Sequence, residues 1–466
     1  MASDEAARVR RKASVYELTR LDSLYAVYRN VLPGLRPRTT RTASATPVTL
    51  APRASVPPTS ASINPFRVLL THRNFRLFWI GQTVSLVGTW MQMMAQGWLA
   101  LELTNNAFLV GLVASIGSFP ILLLSLPAGV LADREHKLRL VKISQTLLLL
   151  EAIALWWLTY SGQITIGWLL ILAAVNGAIV AIEIPARQAM MIELVGRDDL
   201  RDAIALNSSG FNLARIIGPG IAAAVIAQVG IAWCFGLNAL SYLTVILGLR
   251  MIRLPVWQPP LTTGSPLHGL LEGLRYVRSA KKVRTLIRFI AVFAILGVPY
   301  ITLMPVVARD LLGLDASGYG LMLSSLGIGG LSGALALAAV GRRIPRGKLL
   351  VGSAYTYAFL LIMFSLVRWP WLAYPILLVT GFTMIVTNAV ANSMLQGFVP
   401  DHFRGRLMSV YSLISVGLSQ VVGSFAAGAV AEAIGVDWAI GIGAAIMLGY
   451  AMYAFRRGSA WIVEEH

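Results

Sequence analysis

Apolar residues in this chain fall in long runs separated by short polar turns, at 76–101, 109–132, 140–160, 165–186, 207–228, 232–249, 286–307, 318–340, 347–367, 371–396, 407–429 and 437–455. Each run is close to the ~20 residues that a helix needs to cross the hydrocarbon of a bilayer. The pattern therefore predicts an all-α integral membrane protein with twelve transmembrane helices. The weakest break lies between the fifth and sixth runs, around Gly230. The polar stretches divide the chain into a leader (1–65), a six-helix bundle (66–250), a linker (251–285), a second six-helix bundle (286–457) and a short tail (458–466).

Charge changes the picture next. Only 13% of the 466 residues are charged, against 56% apolar, about half the charge of an ordinary soluble chain. The net charge of +18 raises nucleic-acid binding as an option, but no basic patch is interleaved with aromatics. The basic residues sit in the leader and in alternate turns. If every run spans, all of the 39 lysines and arginines except Arg309 and Arg368 fall on one side. Basic residues mark the cytoplasmic face, so both termini are predicted to be cytoplasmic, in the inner (plasma) membrane. The single cysteine, Cys234, lies in an apolar run and excludes a disulfide framework or a cysteine metal site.

The leader opens with Arg8, Arg10, Arg11 and Lys12, followed by Leu18, Leu21, Tyr25, Tyr28 and Leu32 at helical spacing. Two readings stay open: an amphipathic helix on the anionic inner leaflet, and a disordered tail. Residues 36–64 are rich in Pro, Ser, Thr and Arg and read as disordered. The linker carries Pro255, Pro259, Pro260 and Pro266 before a basic helical stretch from Leu267 to Arg284. The two bundles echo each other at an offset near 205, Ile192–Pro219 corresponding to Gly397–Ser424.

Between the second and third runs lies Gly129-Val-Leu-Ala-Asp133-Arg134-Glu-His136-Lys137-Leu-Arg139-Leu140. This turn resembles the loop signature of the major facilitator superfamily, Gly-x-x-x-Asp-Arg-x-Gly-Arg-Arg/Lys, with His136 in place of the second glycine. A weakened copy follows the eighth run at Gly341–Lys348, where Gly341 replaces the acid. The resemblance implies two parallel six-helix repeats, the arrangement for which this superfamily is the standard example. It also implies a central cavity lined by helices 1, 4, 7 and 10.

Polar stripes fall on two of those helices. Helix 1 carries Gln82, Ser85, Thr89, Gln92 and Gln96 on one face, and helix 10 carries Thr380, Thr383, Thr387, Asn388, Asn392 and Gln396. Facing lipid, such stripes are costly, so they must face other helices or water. Helix 4 adds Asn176, and helix 7 adds Tyr300 and Thr302. The competing reading is hydrogen bonding between helices.

Few ionisable groups lie at membrane depth. Glu151, near the middle of helix 3, is a candidate proton carrier or a structural carboxyl. Glu183 and Arg187 share a face at the inner end of helix 4 and can pair, and Glu183 is a second proton-carrier candidate. Arg215, read as two turns into helix 5, takes Glu183 as its nearest acidic partner by depth. With Gly129, Asp133, Arg134, Lys137 and Arg139, these residues read as a cytoplasmic gate or as topological anchors. By resemblance, Asp133 would face the start of helix 11 near Arg406 and Leu407. Gly218-Pro219 in helix 5 predicts a kink and resembles the Gly-Pro signature of proton-coupled drug exporters of the superfamily.

Three segments narrow the resemblance: Arg73–Trp79 with Gly88–Gln92, Ile184–Gln188 with Glu193-Leu-Val, and Ala205–Ser209 with Ile217-Gly-Pro219. They are similar to bacterial exporters related to the enterobactin exporter. The acid of their helix 4 signature stands one residue earlier here, since Ile184 follows Glu183. This implies a secondary transporter that exports a small organic molecule by alternating access, in exchange for protons; a monomer is expected. Uptake of a nutrient, and a lipid-handling or receptor role, are the alternatives. No phosphate-binding loop, cofactor motif, metal cluster or nucleophile–base spacing is present, so an enzyme is the least expected class.

Overall fold

The computed structural model describes residues 66–254, 266–341 and 343–457. The leader with its expected amphipathic stripe, most of the proline-rich linker segment and the tail lie outside the described residues. Among the described residues there is no β-strand. Besides short helices at Phe66–Thr71 and Pro266–Ser279, the described residues form twelve long helical rods: α1 Arg73–Thr104, α2 Ala107–Arg134, α3 Lys137–Tyr160, α4 Ile166–Val195, α5 Leu200–Val229, α6 Ala232–Met251, α7 Lys281–Leu311, α8 Ala316–Val340, α9 Arg346–Leu366, α10 Pro370–Gly397, α11 Phe403–Ile434 and α12 Val436–Arg457. Ten are long and apolar enough to cross a membrane by length and composition. The other two, α1 and α3, carry Gln82, Gln92 and Gln96, and Lys142, Gln145 and Glu151.

Helix is the form these runs must take, because a bilayer offers the backbone no partner of its own. Turns are made locally. Asn106, Thr165 and Asp315 cap the next rods by accepting from Leu109, Trp168 and Gly318 amides at 2.9, 3.3 and 2.9 Å, as short polar side chains do at helix starts. Gly230 and Gly435 end α5 and α11 with φ of 91° and 100°, a region that favours glycine. They stand 205 residues apart, the offset at which the two bundles echo.

The repeat extends to packing. A Cβ on Gly177 in α4 would collide with the main-chain carbonyl of Gly117 in α2, and a Cβ on Gly381 in α10 with that of Leu326 in α8. Each half thus brings one helix pair to backbone contact where side chains are missing, at Gly177 in the first half and at Gly381, Gly329 and Gly333 in the second. The halves meet where α2 runs against α11 and α5 against α8. Large side chains such as Leu147, Leu150, Trp157, Leu335 and Trp371 remain exposed on the outside, as a lipid-facing surface requires.

The rods run longer than the apolar runs predicted. Helix 5 begins at Leu200, seven residues before the expected start, and α4 continues to Val195. The hydrophobicity signal ends where polar residues begin, but the hydrogen-bonded helix does not. Lys281–Arg284, read as linker, belongs to α7, while the linker helix spans Pro266–Ser279. Two rods are irregular: α7 is π-helical over Phe293–Gly297 and turns 3-10 at Pro299–Ile301, and α11 is π-helical over Leu413–Gly423. Pro299 removes a backbone donor in α7.

Candidate functional site

The end of the molecule bearing Arg134, Lys137, Arg253 and Arg346 is here called the basic end. Between the ends, the first six helices enclose a polar cluster around Glu151, which is 4% exposed. Gln92 of α1 donates through Nε2 to both carboxylate oxygens at 3.2 Å, and Asn176 of α4 donates to Oε2 at 3.2 Å. Asn238 of α6 donates to Gln92 Oε1 at 2.7 Å and accepts from Ser241 at 3.0 Å. Four helices thus share one network, and no Lys, Arg or His among the described residues pairs with Glu151. Gly88 makes this possible, since a Cβ there would occupy the place of the Asn238 and Ser241 side chains.

Asn238 and Ser241 were missed in the sequence, where they are isolated polar residues three apart in an apolar run. That spacing puts them on one helix face, a signal as good as the stripe in α1. Of that stripe, Gln82 and Ser85 are buried, Thr89 bonds its own helix at the Ser85 carbonyl (3.0 Å), and Gln82 Oε1 and Gln96 Nε2 are buried without a partner. The stripe of α10 divides. Thr380 and Thr383 bond the carbonyls of Ile376 and Val379, and Thr387 donates to Ser353 of α9 at 2.9 Å. Asn388 is part-exposed, and Asn392 accepts from Gln396 at 2.8 Å.

Nearer the basic end, Arg187 pairs with Glu183 at 2.7 Å, and Gln145 of α3 donates to the same oxygen at 3.2 Å. Lys137, at the start of α3, pairs with Glu193 in the last turn of α4 at 2.8 Å. Arg134 and Arg139 are exposed, and a Cβ on Gly129 would meet nothing. The Asp133 side chain, expected to face the start of helix 11, lies outside the described residues. Arg406 pairs with Glu272 of the linker helix at 2.6 Å.

The expected partnership of Arg215 with Glu183 is not formed. Because α5 starts at Leu200, Arg215 is fifteen residues in, about 22 Å along the helix, and lies in mid-rod rather than near the basic end. Its Nη2 packs over Gly330 of α8, where Ile385 of α10 also lies. Nε and Nη2 are buried without a partner, as is the hydroxyl of Tyr300 in α7, which stands within electrostatic reach. Gly218 and Pro219 sit between α1 and α8: a Cβ on Gly218 would strike Trp90, and the Pro219 carbonyl abuts Gly320.

Side-chain hydrogen bonds join the halves in the middle of the rods and at the end away from the basic one. Ser324 donates to the Ile216 carbonyl at 3.0 Å and Ser115 to that of Val421 at 2.8 Å. Further out, Arg309 Nη1 donates to Asn105 Oδ1 at 2.8 Å, the Ala107 amide donates to Glu432 at 2.9 Å, and Trp98 stacks on Tyr319. No group of three or more His, Cys, Asp or Glu side chains able to hold a metal occurs among the described residues.

Known proteins share this chain's sequence and fold. The staphyloferrin A transporter of Staphylococcus aureus is 26% identical over 342 residues, 72% of this chain and 84% of that one. The multidrug efflux pump Tap of Mycolicibacterium fortuitum is 28% identical over 357 residues, 75% and 87% of the two chains. The enterobactin exporter EntS of Escherichia coli is 23% identical over 350 residues, 75% and 83%. The fold matches that of the nucleoside transporter NupG with a TM-score of 0.68 at 12% identity, over 84% of this chain and all of that one. It matches a peptide transporter POT with a TM-score of 0.67 at 14% identity, over 86% and 99%. The protein is a multi-pass membrane transporter and not an enzyme. Residues 61–459 match the transmembrane secretion effector family, and this chain belongs to that family, within the major facilitator superfamily.

Proposed function

We propose that this protein exports small organic molecules across the cytoplasmic membrane, working as a monomer and exchanging them for protons. The direction is carried by one observation: the chain is similar over about three quarters of its length to proteins named for efflux and export. All twelve rods cross the bilayer, with the basic end and both termini in the cytoplasm by the distribution of Lys and Arg. Residues 66–250 and 286–457 rock about the linker so that a midplane site opens alternately to either side.

Within that scheme Glu151 is the proton carrier. Neutral amides alone hold its carboxylate, so it can take up and release a proton without breaking an ion pair. Glu183 can do so only by giving up Arg187. Gln82, Ser85, Gln96, Tyr300 and Asn388 line the path of the solute, while Gln92 and Asn176 couple the path to Glu151. The signature loop from Gly129 to Arg139 acts with Glu183, Arg187 and Glu193 as the cytoplasmic gate, and bonds at the opposite end form the outer gate.

The test is accumulation of ethidium and of siderophore-type chelators in a deletion strain with and without the protein, repeated with an uncoupler. Lower accumulation that an uncoupler abolishes is expected. Efflux indifferent to the uncoupler removes proton exchange, and higher accumulation on expression turns the reading to uptake.

A further inference from the structure

Arg215 is a guanidinium placed halfway along its rod, and no acid among the described residues pairs with it. The acids that could do so are engaged or absent: Glu183 holds Arg187, and Glu151 is enclosed by Gln92 and Asn176. Nor is the residue spent on packing within its own half. It leaves α5, crosses to the second half and lays Nη2 over Gly330, which has no Cβ to obstruct it. Ile385 of α10 closes the same spot, and Tyr300 of α7 stands nearby with its ring fixed between the rings of Tyr357 and Phe364. Tyr357 donates its own hydroxyl to the Gly297 carbonyl at 2.7 Å, and the buried Tyr300 hydroxyl beside it makes no hydrogen bond of its own.

Three donors from the two halves of the molecule, Nε and Nη2 of Arg215 and the Tyr300 hydroxyl, thus make no hydrogen bond among the described residues. Nε and Nη2 lie along one edge of the guanidinium. That edge matches the two oxygens of a carboxylate, the side-on geometry in which Arg binds acids most strongly. Arg215 is part-exposed, but its Nε and Nη2 are buried without an acceptor, which is costly, and a transporter can hold such donors where the acceptor is its cargo.

The geometry points to Arg215 and Tyr300 as the recognition site for a carboxylate group on the transported molecule. This assignment rests on the transport reading and deepens it by naming the substrate class, an organic acid. The donor edge is packed against α8 in this conformation, so the acid enters as α5 and α8 part and bridges them when they close. The occupied site ties one helix of the first half to three of the second. Gly330 is part of the site, since any side chain there would displace Nη2.

The experiment is calorimetric titration of the full chain in lipid nanodiscs with citrate, with benzoate and with benzamide, the neutral match of benzoate. Citrate and benzoate are expected to bind and benzamide to bind at least tenfold more weakly. Arg215→Gln is expected to lower carboxylate affinity at least tenfold and Arg215→Lys less, because the charge persists without the fork. Tyr300→Phe is expected to lower it severalfold, and this variant decides the matter if the arginine variants do not fold. Equal binding of benzoate and benzamide, no carboxylate binding, or unchanged affinity in Tyr300→Phe overturns the site. Cellular efflux of calcein, a carboxylate dye, separates the two readings. Carboxylate binding without dye efflux sinks export and leaves the site, whereas ethidium efflux by a protein that binds no carboxylate does the reverse.

Discussion

The side-chain amide of Gln92 donates to both oxygens of Glu151, 3.2 Å from each, and so joins α1 to α3 at the centre of the first bundle. Glu151→Gln keeps the shape and removes the site of protonation. Transport driven by a pH gradient in proteoliposomes is expected to fall at least tenfold, while exchange of labelled for unlabelled substrate without a gradient persists. Gradient-driven transport at the wild-type rate would move the proton site elsewhere.

The ion pair of Lys137 and Glu193 ties the signature loop to the end of α4 within the same half. Their side chains are 12% and 25% exposed, so the pair is partly shielded, and a coupling of about 1 kcal/mol is expected. Lys137→Glu and Glu193→Lys should each reduce transport severalfold, and the double exchange should recover part of it. Strictly additive losses in the double variant would make these residues independent anchors of the loop.

How much of this was legible in advance depends on what fixes each feature. The rods were legible because hydrocarbon thickness and backbone satisfaction leave one solution for an apolar run. The pairing of Glu183 with Arg187 followed from i, i+4 spacing on one helix. The position of Arg215 did not, because hydropathy placed the start of α5 at residue 207 and the helix begins at Leu200. That error of two turns moved a mid-rod arginine to the surface and gave it the wrong partner. The stripe in α10 shows a second limit. Thr380, Thr383 and Thr387 share a face with Asn388, yet their hydroxyls bond a carbonyl one turn back or the neighbouring helix. Periodicity locates a polar face and leaves open whether it meets another helix or water. The Gly177 and Gly381 contacts were unreadable, because a glycine signals close approach only once its neighbour is known.

Those two glycines predict paired defects. The obstacle to a Cβ is a main-chain carbonyl in both, and main chain cannot rotate aside as a side chain can. Gly177→Ala and Gly381→Ala should each destabilise by about 1–3 kcal/mol by parting α2 from α4 and α8 from α10. Gly352, whose Cβ would meet nothing, is the control, and Gly352→Ala should be neutral or stabilising by up to about 1 kcal/mol through helix propensity. Thermal unfolding in detergent gives the comparison. Equal melting temperatures for all three variants would mean that the helix pairs tolerate separation.

The outer contact between Glu432 and the Ala107 amide spans the two halves at the start of α2. A carboxylate there satisfies a helix-terminal amide and meets the positive end of the helix dipole. Because Glu432 is exposed, its loss should cost about 1 kcal/mol, which shifts a two-state equilibrium about fivefold. Glu432→Ala should therefore enlarge the population open at that end. Spin labels at Leu103 and Ile434, both exposed near the same end, report it as a longer distance between the halves. Arg309→Gln, which weakens the bond to Asn105, should act in the same direction and add to it. An unchanged distance distribution in the double variant would assign the seal to the Trp98–Tyr319 stack, and Trp98→Ala would then open what the polar contacts do not.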